Sequence, residues 1–86
     1  MLVSGAVTLG NVAALLEEGR RYIGDGVQTI DLAEVSEMDS ALLALLLAWL
    51  REANARQRAL EFANLPASLR TIARLYGVDD LLPVKA

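Results

Sequence analysis

The sequence predicts an open α/β sheet, at least partly parallel, with helices packed against it through right-handed crossovers. Three observations carry this. Short β-type runs alternate with helical patterns in the order strand, helix, strand, helix, strand, helix. No repeat, linker or low-complexity stretch interrupts the series. At 86 residues the chain has material for one core only, and residues 1–86 are read as a single domain.

Leu2 to Val7 is a short apolar run that contains Gly5 and reads as the first strand. Asn11 offers an N-cap to an amphipathic helix whose Val12, Leu15, Leu16, Gly19, Tyr22 and Ile23 share one face, apart from Glu17, Glu18, Arg20 and Arg21. Gly24-Asp25-Gly26 stops it, and the β-branched run from Val27 to Leu32 predicts a second strand, followed by a loop from Ala33 to Met38. A long helix is expected from about Ser40 to Ala55, capped by the side chain of Asp39 or of Ser40. Arg58 to Asn64 alternates Leu60 and Phe62 with Glu61 as a third strand does. Pro66 suits the start of a helix that runs through Leu69, Ile72, Ala73 and Tyr76 and stops at Gly77. Leu81 and Leu82 are expected to turn back onto the core.

Composition narrows the function classes. The chain holds no Cys and no His, which removes thiol nucleophiles, disulfides and the commonest general base and metal ligand, so a non-enzymatic role with no cofactor is expected. Eight basic against eleven acidic residues leave a net charge of −3 with no basic block, which speaks against nucleic acid as a partner. Met1-Leu2-Val3-Ser4-Gly5 lacks the charged start and apolar run of a secretory signal, so a cytoplasmic location is expected. The longest apolar run, Ala41 to Leu50, is ten residues, whereas a bilayer takes about 20.

That run is unusual for a helix. Leu43, Leu46, Leu47 and Leu50 form one stripe, sufficient to face a sheet, while Leu42, Leu45 and Trp49 form a second. Either a neighbouring helix of the same chain covers the second stripe, or a partner does. The partner reading makes Asp39, Ser40, Ala41, Leu42 and Trp49 a candidate interface.

Ser40 has two readings at the head of this helix. Its hydroxyl caps the first turn, or it is a phosphoacceptor whose phosphate the positive end of the helix dipole tolerates while adding about −1.5 to −2 charge to a contact surface. It has no His, no nearby Lys and no Gly-x-Ser-x-Gly turn to make it a catalytic nucleophile. Glu34, Glu37 and Asp39 match no calcium loop, and Gly24-Asp25-Gly26 matches no phosphate loop, so neither metal nor nucleotide is expected.

The order of elements, with Leu2-Val3-Ser4-Gly5, Thr29-Ile30-Asp31-Leu32, Met38-Asp39-Ser40-Ala41 and Leu75-Tyr76-Gly77-Val78, resembles the STAS domain family over nearly the whole chain. The Asp39-Ser40 step that opens a Leu-rich helix is the most telling part. The family includes anti-sigma factor antagonists, in which the Ser at this place is phosphorylated, and that role carries over onto Ser40. Another branch is the small subunit of a phospholipid-trafficking ABC transporter that keeps the outer membrane asymmetric. Asp39-Ser40-Ala41 followed by the run Leu43-Ala44-Leu45-Leu46-Leu47, and the ending Ala73-Arg74-Leu75-Tyr76 with Leu81-Leu82-Pro83, are more similar to that branch. The resemblance then implies binding to the cytoplasmic ATPase subunit, peripheral at the inner membrane through that complex, with the start of the helix at the contact.

Two residues depart from the pattern of the antagonists. Leu42 stands where they have Gly, which is expected to alter the surface a kinase approaches, and Thr8 stands where many members have Asp. The family's usual first edge strand is also absent ahead of Leu2, leaving an edge through which a homodimer can form.

Overall fold

A computed structural model describes residues 1–85. Three parallel strands lie in the order β1 (Leu2–Val7), β2 (Thr29–Met38), β3 (Glu61–Ala63), linked by helices α1 (Val12–Gly24) and α2 (Ser40–Ala55). Helix α3 (Ala67–Leu75) and a 3-10 turn (Asp79–Leu81) follow. The tail then returns beside β3: Phe62 N–H donates to the Pro83 carbonyl at 2.8 Å, and Lys85 N–H donates to the Phe62 carbonyl at 2.8 Å. The predicted α/β class with an open sheet is the observed one.

Successive parallel strands joined by right-handed crossovers put every connecting helix on the same face of the sheet. Burial follows that rule. Val3, Val7, Ile30, Leu32 and Phe62 point into the core, whereas Ser4, Glu34 and Glu37 on the opposite face stay exposed. The result is two layers, with α2 flanked by α1 and α3.

Strand β2 corrects the expected loop from Ala33 to Met38, which is its second half. Pairing with β1 slips twice: Leu2 opposes Asp31 but Ser4 opposes Glu34, and Gly5 opposes Val35 but Ala6 opposes Glu37. Each slip inserts one extra residue in β2, a β-bulge, so its inward residues fall at Ile30, Leu32, Val35 and Met38 rather than at every second position. Gly5 sits at the second irregularity with φ of 81°, a conformation a side chain would strain. The outer edge of β1 has no strand partner among the described residues.

Other sequence readings shift in detail. The third strand is only Glu61–Ala63, and Tyr76 follows α3 as an exposed cap residue rather than joining its buried face. Leu82 packs into the core as expected, but Leu81 is exposed. Asn11 precedes α1 without capping it; its side chain instead accepts from Thr8 N–H at 2.9 Å and donates to the Ala6 carbonyl at 2.7 Å.

On the open face, Asp31 Oδ1 accepts from Asn64 Nδ2 at 3.0 Å and from Ala33 N–H at 2.9 Å. The Asn64 amide first, then the Ala33 amide, hold this carboxyl below its ordinary value of 3.8. A depressed folded-state pKa adds stability that is present above the unfolded value and lost as pH falls through the folded one. Asp31→Asn is therefore expected to flatten the pH dependence of the melting temperature below about pH 4 and to leave its shape near neutrality unchanged. Melting curves across that range check this, and an unaltered acid limb would show that the pair does not contribute.

Candidate functional site

Strand β2 ends at Met38, and Asp39 adopts an extended conformation with φ of −124° and ψ of −168°, so its side chain can reach forward over the first turn of α2. Asp39 Oδ1 accepts from Ala41 N–H at 2.8 Å. The cap is thus Asp39, not Ser40, and it satisfies one of the orphan amides at the positive end of the helix, a contact that stabilises by about 1 kcal/mol. Ser40 is the first helical residue, is exposed, and its hydroxyl makes no hydrogen bond among the described residues.

The other oxygen of the same carboxylate does a second job. Asp39 Oδ2 accepts from Leu9 N–H at 3.3 Å, tying the turn between β1 and α1 to the start of α2. Asn11 braces that turn from its other side through Thr8 and Ala6. Leu9 is left pointing into solvent, 80% exposed. On the far flank, Ser68 Oγ lies 3.4 Å from Met38 Sδ, bringing the first turn of α3 to the same end. The carboxyl ends of β1 and β2 and the N-terminal ends of their following helices therefore converge around Asp39 and Ser40, where open α/β sheets place their working sites.

The rest of the candidate interface moves inward. Leu42 and Trp49 are both 0% exposed, and Ala41 is buried at the rim. Trp49 lies over Gly19 of α1 and its Nε1–H donates to the Leu16 carbonyl at 3.2 Å. The second apolar stripe of α2 is covered by helices of the same chain, which corrects the expectation that Leu42 and Trp49 present themselves to a partner. The argument that Leu42 alters a kinase-facing surface falls with it. The outward line of α2 runs from Ser40 through Ala44, Leu47, Ala48 and Arg51 to Ala55, and Leu47 and Ala48 are half-buried. Leu9 was missed in the sequence, where its one signal was an apolar side chain inside the turn Thr8-Leu9-Gly10-Asn11.

The structure places no buried polar or charged side chain among the described residues, and no group of three acidic side chains there is arranged to hold a metal ion. No described helix is long and apolar enough to cross a membrane. The grooves at Leu65, Arg70, Ala73 and Leu82 and at Gln28, Leu60 and Pro83 are lined by neither Asp39 nor Ser40.

An exposed serine thus begins a capped, largely buried helix at the carboxyl end of a small parallel sheet, in a two-layer α/β domain. Solved structures of the same fold include those of anti-sigma factor antagonists. The anti-sigma factor antagonist SpoIIAA in its unphosphorylated form matches with a TM-score of 0.72 and 22% identity, covering 99% of this chain and 76% of that one. The Bacillus cell fate determinant SpoIIAA in the phosphorylated form matches with a TM-score of 0.68 and 22% identity, covering 99% of this chain and 79% of that one. The family described as Mlab, STAS domain matches residues 1–83, and the chain belongs to that family. No curated protein sequence matches it.

Proposed function

We propose that this protein is a non-enzymatic STAS subunit, of the MlaB kind, that binds and supports the cytoplasmic ATPase subunit of a phospholipid-trafficking ABC transporter maintaining outer-membrane lipid asymmetry. It sits at the inner membrane through that complex rather than by a span of its own. The observation that carries the reading is the exposed start of α2, Asp39 and Ser40, in a chain of the Mlab, STAS domain family. The helix beneath is braced on both flanks, so the site is a rigid surface suited to docking and not a pocket suited to a substrate.

Co-purification with the ATPase subunit tests it. A Glu at position 40 places a charge on the contact while remaining compatible with the helix dipole, so Ser40→Glu is expected to fold as wild type and to weaken the complex by about tenfold or more. A complex that forms equally well with Ser40→Glu would remove this end of the molecule from the interface. Trp49→Ala is unsuited to the purpose, because its side chain is buried and its loss acts through stability.

The second reading is an anti-sigma factor antagonist switched by phosphorylation of Ser40, supported by the likeness to SpoIIAA and by the exposure of the hydroxyl. Intact-mass measurement of the protein from its own cells decides between them: an added phosphate on Ser40 under some growth condition supports the switch.

A further inference from the structure

Leu9, as exposed as any large apolar side chain among the described residues, stands at the same end as Ser40. A single exposed leucine needs no explanation when it lies on a loose loop. This one is held by three hydrogen bonds: Asp39 Oδ2 to its own amide, and Asn11 to Thr8 and Ala6 on either side of the turn. A turn whose backbone is held in advance loses little backbone freedom when its apolar side chain enters a partner, which is the economy of a binding anchor.

The charge around it is one-sided. Residues 1–19 and 22–50 contain no Lys or Arg, so the docking end carries Glu34, Glu37 and Asp39 without a cation in its own segments. Glu34 and Glu37 are exposed on the open face of β2, leading up to Asp39. The arginines of α1 and α2 gather instead toward the carboxyl ends of those helices, while Arg70 lies in the first turn of α3, beside the groove lined by Leu65 and Leu82. Arg20 pairs there with Glu17 and with Glu52 at 3.1 Å, and Glu52 pairs with Arg56 at 2.7 Å. The α1 and α2 side of the molecule is thus polarised along its helices, acidic at the end that bears Leu9 and Ser40.

We propose that Leu9 is the apolar anchor of the docking end and that it enters a socket on a partner protein whose rim carries Lys or Arg facing Glu37 and Asp39. This rests on the docking role assigned to the start of α2. It adds a residue outside that helix and the charge of the opposing surface. An anionic lipid surface would be repelled by the same carboxylates.

The test measures binding of the full chain to the ATPase subunit with four proteins: wild type, Leu9→Ser, Glu37→Lys and Leu75→Ser, the last removing another exposed leucine at the far end of α3. Leu9→Ser is expected to weaken binding by about tenfold or more, as removal of an interface anchor does. Glu37→Lys is expected to slow association, Leu75→Ser to leave binding unchanged, and wild-type association to slow as salt is raised. Equal binding by Leu9→Ser, in a complex that Ser40→Glu still weakens, overturns the anchor and leaves the docking role standing. Failure of wild type to bind the ATPase overturns both. Leu9-dependent sedimentation with phosphatidylglycerol vesicles overturns the proposal in favour of a lipid surface. Circular dichroism of Leu9→Ser is expected to match wild type, since the loop's hydrogen bonds involve no side-chain atom of Leu9.

Discussion

Trp49→Ala is expected to lower the free energy of unfolding by about 3 to 5 kcal/mol, the range for removing a large aromatic from a packed core. The indole is fully buried between α2 and α1, and its one polar atom is satisfied by the Leu16 carbonyl. Truncation opens a void at the only Trp of the chain and removes the indole hydrogen bond, while the Leu16 carbonyl keeps its place in the backbone ladder of α1. Small domains hold about 5 to 15 kcal/mol in total, so the variant should unfold at a much lower urea concentration, with cooperativity retained. A loss under about 1 kcal/mol would mean that α1 and α2 close over the gap, contrary to the packing described.

Gly19→Ala is expected to destabilise by about 1 to 3 kcal/mol or more, although alanine is the better helix former by about 1 kcal/mol. A Cβ at this position would run directly into Nε1 and Cε2 of the Trp49 ring, and both helices would have to separate. The two substitutions should therefore couple. In a Trp49→Ala background the added methyl enters the vacated space, and the penalty of Gly19→Ala should disappear or change sign. Chemical denaturation of the four proteins of this cycle measures the coupling; additive effects would show that Gly19 is small for some other reason.

This pair also explains why the helix with too little polar surface gave a misleading signal about function. Leu42, Leu45 and Trp49 lie well round from the stripe that meets the sheet, and in a chain of this size a partner was a reasonable cover for them. The cover is internal because the parallel order β1, β2, β3 puts α1 and α3 on the same face, one on each side of α2. Gly19 lets α1 approach closely enough for the indole to fit. Nothing in the periodicity of α2 itself says which helix will lie against it.

The same division holds for β2. Ile30 and Leu32 alternate as a half-buried strand should, and the alternation ends after Leu32. The strand continued because two bulges re-aim Val35 and Met38 inward, and those bulges exist only in the register with β1.

By itself, then, the sequence determined the class of fold, the span of α2 from Ser40 to Ala55, the alternation of elements and the likeness to the STAS domain family, all of which depend on local preference, short-range periodicity and motif. Tertiary structure alone decided which apolar residues are spent on the core, that Asp39 and not Ser40 is the cap, and that Leu9 shares an end with both. The reason is physical: these are relations between residues far apart in the chain, such as Leu9 with Asp39 or Gly19 with Trp49, and they come into being only when the sheet fixes which ends and faces meet.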